Sequence, residues 1–318
     1  MRLILVLALS ALSAATSAAD DPKQAPRQFI EESIVTYPTA LGSYTLGKDD
    51  YDPARIAEGV SLNYRLADAP DSVKFDIYVY PLGRVDTAKA VTDAMVEIEG
   101  EIRTAEQRKL YSDVKFGGDA VPFDVAEPAP SLFKPDGRKN ASDASPANDA
   151  ASPAASTATA SDPRAQALID VLHATQPPTR TVGRKRALTM KREGTPCQSL
   201  AYVFYRNLFL ISVRASTPVD TMPNDRFNAL VDRAVQDLVP AMDIRNFGDC
   251  GVMYISVDHA SGDQDKDKDK RATNVATQLV SQMGRVLREG CSNKPGPKAV
   301  ATPDHGQQAL VYPPQFWK

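Results

Sequence analysis

Between residues 60 and 80 the chain alternates apolar and polar positions twice. Val60, Leu62, Tyr64 and Leu66 are interleaved with Ser61, Asn63 and Arg65, and Phe75, Ile77 and Val79 with Asp76, Tyr78 and Tyr80. A period of two turns successive side chains to opposite sides, so both segments are predicted as half-buried strands. Paired as an antiparallel hairpin across the 67–74 loop, with both apolar sets on one side, they place Arg65 opposite Asp76, Asn63 opposite Tyr78 and Ser61 opposite Tyr80. The hairpin then has one dry and one polar face. From about residue 87 to 105 the period changes to that of a helix, with Val91, Met95, Ile98 and Ile102 on one stripe. This helix is expected to lie on the dry face.

A similar order returns later. Residues 187–192 read as a strand, followed by 200–205 and 208–215 joined by a tight turn at Arg206-Asn207. In the last of these, Phe209, Ile211 and Val213 point one way and Leu208 and Leu210 the other, the pattern of a central strand covered on both sides. A helix over 224–238 carries Phe227, Leu230, Val231, Ala234 and Leu238 on one stripe, with Asn224 or Asp225 as its cap. A strand over 252–257 and a helix over 270–289 follow, the latter aligning Val275, Leu279, Met283 and Val286 and stopping at Gly290. The predicted class is α+β: a largely antiparallel sheet with packed helices, built from ββα units that hint at an internal duplication.

The punctuation between these elements divides the chain. Residues 1–19 combine Arg2, an apolar run from Leu3 to Leu9 and the small residues Ser17, Ala18 and Ala19, the pattern of an export signal cut after Ala19. Residues 20–133 form the first part of the α+β domain. Residues 134–164, dominated by Ala, Ser, Asp and Pro, have no aliphatic side chain larger than Ala to bury and read as a disordered linker. Residues 165–292 form the second part. The tail, 293–318, is Pro-rich and holds the only tryptophan, Trp317, in an apolar end expected to dock on the rest.

The strand segments Gly59-Val-Ser-Leu-Asn-Tyr-Arg65 and Phe75-Asp-Ile-Tyr-Val-Tyr-Pro81, with the later 202–216 hairpin, resemble a group of exported proteobacterial proteins without an assigned activity. The order of elements is also similar to that of the PsbP/Mog1-like α/β sandwiches. That resemblance implies a fold and a compartment, and carries no functional residue.

Composition narrows the function classes. The chain has 318 residues, 42% of them apolar, and 37 basic against 40 acidic side chains, a formal charge of −3. That balance argues against a general nucleic-acid binder, which needs a basic footprint. No apolar run after the signal approaches the ~20 residues of a membrane span, so a soluble product is predicted. Of the three cysteines, Cys250 and Cys291 are the expected disulfide, because Cys291 ends the last helix and Cys250 opens the strand before it. Cys197 is left as a free thiol.

Several motifs fail on their details. The run Asp258, Asp263, Asp265, Asp267, Asp269 has the alternate carboxylates of a calcium loop, but Lys268 stands where that loop needs glycine and Asn274 where it needs glutamate. It reads as a solvated loop whose charge is balanced by Lys266, Lys268 and Lys270. Ser131 and Lys134 have the spacing of a lysine-activated serine without that chemistry's partner elements. Asn140-Ala141-Ser142 fits a glycosylation acceptor and reads as accidental. His173, His259 and His305 are too far apart in sequence to suggest a metal site, and no cofactor is implied.

Two surfaces remain as candidates for recognition. The first is the polar hairpin face of Asn63, Arg65, Asp76, Tyr78 and Tyr80, although a solvated outer face with a cross-strand ion pair is the more ordinary account of such residues. The second is the basic stretch from Arg180 to Arg192, where a strand's alternation puts Arg184, Arg186 and Arg192 on the side of Leu188 and Met190, which is also how a sheet-edge strand protects itself with charge. These residues point to a periplasmic or secreted, non-catalytic binding module whose partner is an envelope protein or a small ligand. A cell-envelope hydrolase with residues scattered over loops, and an inhibitor or immunity-type factor, are the alternatives.

Overall fold

The computed structural model describes residues 29–126, 180–253, 268–292 and 305–317. The signal segment, Ser131 and Lys134, the linker, the glycosylation pattern, His173, residues 254–257 of one predicted strand and most of the acidic run lie outside the described residues.

Eight strands form the main sheet. In chain order they are β2 (Ala40–Leu41), β3 (Tyr44–Tyr51), β4 (Val60–Leu66), β5 (Lys74–Pro81), β6 (Tyr111–Pro122), β9 (Gly183–Arg192), β10 (Thr195–Arg206) and β11 (Phe209–Pro218). Their order across the sheet is β2-β3-β4-β5-β11-β10-β9-β6, with every neighbour antiparallel. A four-stranded sheet, β13-β12-β1-β14, is built from β1 (Glu32–Pro38), β12 (Asp243–Phe247), β13 (Cys291–Ser292) and β14 (His305–Val311). β7 (Val125–Ala126) and β8 (Arg180–Thr181) pair as a short ribbon. The helices of the described residues are α1 (Thr87–Gln107), α2 (Asn224–Ala241) and α3 (Lys268–Arg288). The α+β class with a large antiparallel sheet is as the periodicity predicts.

The two central strands follow their sequences. β10 is buried from Cys197 through Phe204, and β11 from Phe209 to Val213. Tyr202, Phe204, Phe209, Ile211 and Val213 enter one apolar cluster with Phe227, Val231, Ala234, Val235 and Leu238 of α2 and Val35, Tyr37, Ile244 and Leu310 of the small sheet. Ala201, Val203 and Leu210 face the other way, into a second cluster with Val91, Met95, Ile98 and Ile102 of α1. The layers are therefore α1, the large sheet, and then α2 with the small sheet.

That arrangement corrects several expectations. The hairpin of β4 and β5 forms, but two residues out of the predicted register: Asn63, not Arg65, faces Asp76, and Ser61 faces Tyr78. A slip of two keeps every side chain on its face, so alternation alone did not exclude it. The 67–73 loop absorbs the difference in two tight turns, Ala69 N–H to the Leu66 carbonyl at 3.0 Å and Val73 N–H to the Pro70 carbonyl at 2.9 Å. α1 does not cover the dry face of that hairpin, which belongs to the α2 cluster; it crosses to the opposite face, where β10 and β11 also need cover. With α1 and α2 on opposite faces, the two ββα units do not repeat one another. β9 is not an edge strand, because β6 lies outside it.

Smaller corrections follow from local geometry. The β10–β11 turn is Asn207-Leu208, both at positive φ (50° and 69°), and Leu208 joins the α2-side cluster, opposite to Leu210. α2 starts after Pro223 with no side-chain cap, so neither Asn224 nor Asp225 serves as one. Cys250 lies in a 3-10 turn, Asp249–Gly251, after β12 rather than opening a strand, and Val252 and Met253 are irregular.

The C-terminal half of the small sheet is pinned covalently. Cys250 and Cys291 form the predicted disulfide, with Cα atoms 5.7 Å apart, and Cys197 is free and buried. Gly290 ends the run after α3 at φ +61°, where a Cβ would stand 2.7 Å from the Ile244 carbonyl oxygen, so glycine is required twice over. The end of the tail docks as expected: β14 pairs with β1, and Tyr312, Phe316 and Trp317 pack with ring centroids 4.9 Å apart. Replacing both Cys250 and Cys291 by serine should lower the unfolding free energy by about 4 kcal/mol, the chain-entropy value for a loop of this length. Urea titration measures it, and a loss below ~1 kcal/mol would show that the bond constrains little.

Candidate binding surface

Cross-strand register brings both predicted surfaces onto one face of the large sheet. Asn63, Asp76, Arg214, Ala201 and Arg186 stand side by side across β4, β5, β11, β10 and β9. The next row of that face is Ser61, Tyr78, Ser212, Val203 and Arg184. With a period of two, Arg65, Tyr80 and Arg192 share the same side. All eight residues singled out from the sequence therefore lie on the α1 side of the sheet.

α1 divides this face. Its N-terminus is set by Asp86, whose side chain accepts from the Lys89 N–H at 2.8 Å, and its apolar stripe beds on Leu188, Ala201, Val203 and Leu210. Glu99 projects from one flank and Glu97 and Glu101 from the other. Arg186 is taken up by the first flank: its Nε is 3.0 Å from Glu99, its guanidinium lies over Phe116, and its side chain is only 12% exposed. Arg184 reaches the Ala120 carbonyl at 3.5 Å. These two arginines fasten α1 and β6 to the sheet, and so leave the candidate surface; Arg192 is exposed.

On the other flank a polar strip stays open between α1 and the β3 edge. Asn63 Nδ2 donates to Asp76 Oδ1 at 2.8 Å, filling the place expected for Arg65, which is exposed and stands opposite Thr45. The cation of the strip is Arg214, which sequence reasoning missed because it read β11 as apolar on both faces. Its Nη2 donates to Glu101 Oε2 at 2.5 Å, its guanidinium lies 5.6 Å from the Tyr78 ring centroid, and its Nε is buried without a hydrogen-bond partner. Lys48 of β3 stands opposite Asn63. Tyr80 is half-buried against the α1 cluster.

Electrostatics on the strip are tuned by burial. Burial pushes the Asp76 carboxyl up, against the Asn63 hydrogen bond and the charges of Lys74, Arg214 and Arg192, which pull it down. Glu97 is raised by burial and by the neighbouring charge of Glu101. Burial also raises the phenols of Tyr78 and Tyr80, so both remain neutral donors. Burial opposes the Arg214 charge, but Glu101 together with Tyr78 and Tyr80 offsets it, and the guanidinium is held above its usual range. The result is a fixed cation, a planar amide bonded to a carboxyl, and a neutral tyrosine, an array suited to a ligand with both polar groups and a flat apolar side.

A second polar cluster sits on the opposite face and has a structural role. Lys185 Nζ reaches both Asp232 oxygens at 2.7 and 2.9 Å, and Tyr202 donates to Asp232 Oδ1 at 2.5 Å. The Phe123 ring stands 5.0 Å from that of Tyr202. Together they lock α2 to β9 and β10. Among the described residues no group of three or more His, Cys, Asp or Glu is placed to hold a metal ion. No protein-family model matches the chain, and no curated protein matches it.

The raised Asp76 carboxyl makes a signed prediction. A carboxyl that binds its proton more tightly when folded contributes a penalty that is absent below the unfolded value of 3.8 and grows as pH rises toward the folded value. Asp76→Asn keeps an oxygen to accept from Asn63 and removes that penalty. The variant should gain stability over wild type as pH rises from 3.8 toward neutrality, with no change in the difference below 3.8, in paired urea titrations. A gap that widens on acidification would contradict the assignment.

Proposed function

We propose that the protein is an exported, soluble, non-catalytic binding module of the cell envelope, and that its recognition surface is the strip of Asn63, Asp76, Tyr78 and Arg214 between α1 and β3. The observation that carries this reading is the placement of Arg214. Its guanidinium is anchored by one nitrogen to Glu101, braced by Tyr78, and 41% of the side chain remains in solvent. Arg and Tyr in such partly desolvated positions are the residue types that dominate interface energies. The N-terminal pattern of residues 1–19, the disulfide and the resemblance of the strands to exported proteobacterial proteins support the compartment. No helix among the described residues is long and apolar enough to cross a membrane.

Native capture from envelope extract on the immobilised protein tests the reading. Arg214→Ala and Tyr78→Ala should each weaken retention of a captured partner by more than ~1 kcal/mol, whereas Arg186→Ala, whose charge is spent on Glu99, should act on stability first. Retention should also fall as salt rises, because exposed charges are screened within about 8 Å at physiological ionic strength. Capture that ignores Arg214, Tyr78 and salt together would place the working surface elsewhere.

A further inference from the structure

We propose that α3 is a peripheral membrane-docking helix that lays its apolar stripe on an anionic lipid surface. The proposal is independent of the strip on the large sheet. A helix of a soluble domain normally turns its apolar face inward. α3 does the reverse: Leu279, Met283 and Leu287, spaced four apart and so stacked on one side, are 38%, 46% and 36% exposed. Neither apolar cluster of the described residues takes in a side chain of this helix.

The orientation is held by contacts at the helix's C-terminal end. Arg285 Nη2 donates to the Val252 carbonyl at 3.5 Å, and Gly284 beside it is buried. Glu289, just beyond it, accepts from Arg84 Nε and Nη2 at 2.6 and 2.7 Å. Two residues further on, Cys291 is bonded to Cys250. The stripe is thus fixed facing away from the domain. Met253, next in the chain to the carbonyl that Arg285 binds, is a further exposed apolar side chain, 44% accessible.

Charge selects the occupant. Over α3 the sequence holds Lys268, Lys270, Arg271 and Arg288, besides the Arg285 that ties it to Val252, against one acidic residue, Asp269, in a chain whose formal charge is −3. A basic amphipathic helix is the form that lies in a bilayer interface, its apolar side chains among the acyl chains and its cations near anionic headgroups. A second copy of the chain is disfavoured, because a two-fold contact would set two such basic helices against each other. A protein groove is disfavoured as well: the stripe offers Leu and Met but no Trp or Tyr anchor.

Flotation of the full-length mature protein with vesicles decides the matter. It should rise with phosphatidylglycerol-containing vesicles, stay behind with pure phosphatidylcholine, and be released by added salt. The double substitution Leu279→Gln with Met283→Gln should cut the floated fraction at least ~10-fold, since it removes the apolar part of the binding. Both side chains are exposed, so the unfolding midpoint should not move, and Arg214→Ala should leave flotation unchanged. A wild-type protein that stays in solution with anionic vesicles would overturn the proposal, as would flotation indifferent to the two glutamines. A concentration-dependent dimer lost in the same variant, without flotation, would assign the stripe to a second copy instead.

Discussion

The antiparallel seam between β5 and β11 holds the large sheet together. It runs from Phe209 opposite Pro81 to Ser216 opposite Lys74 and joins strands from the two sides of the intervening segment. The parts interleave elsewhere too: β6 of the first part borders β9 of the second, and β1 lies between β12 and β14. Neither part holds a closed set of hydrogen-bonded strands. Phe209, Leu210, Ile211 and Val213, all at most 1% exposed, fill both clusters, and each such side chain contributes on the order of 1.5 to 3 kcal/mol by burial. Opening the seam exposes both cores at once.

The same constraint shapes the candidate surface. β10 is apolar on both faces and β11 adds Leu210 on the second, so α1 has to cross to the side left uncovered by α2. One helix cannot screen all the strands of that face, and the uncovered part is where Asn63, Asp76, Tyr78 and Arg214 meet. Acidic residues on the flanks of α1 fix the arginines of the sheet: Glu99 holds Arg186 and Glu101 holds Arg214. The two pairs differ in exposure, 12% for the Arg186 side chain and 41% for Arg214, and that difference separates an internal fastening from a surface able to engage a ligand.

Strong periodicity made much of this legible. β4, β5, β10, β11 and the three helices follow from alternation or from a helical stripe, and the disulfide follows from the positions of its cysteines. β1 was hidden because it is buried on both faces and shows no alternation. β6 was hidden by Gly117-Gly118 and by two register shifts against β9. Alternation fixed which side Asn63, Asp76 and Tyr78 share but not their offset, since a slip of two residues leaves faces unchanged. Arg184 and Arg186 read as charge on an edge because the sequence of β6, the strand outside them, shows no clear alternation. Arg214 had a signal: Leu210, Ser212, Arg214 and Ser216 alternate with apolar residues, and reading that set as one face would have found it.

Through the β5–β11 seam the two parts of the chain should fold and unfold as one cooperative unit. An engineered protease site within residues 134–164 tests it most directly, because cleavage there cuts the chain between the interleaved strands without touching any of them. After cleavage the two fragments should elute together and unfold in urea in a single transition seen alike by fluorescence and circular dichroism. Fragments that separate under native conditions into two independently folded pieces, or that unfold in two distinct steps, would contradict the account.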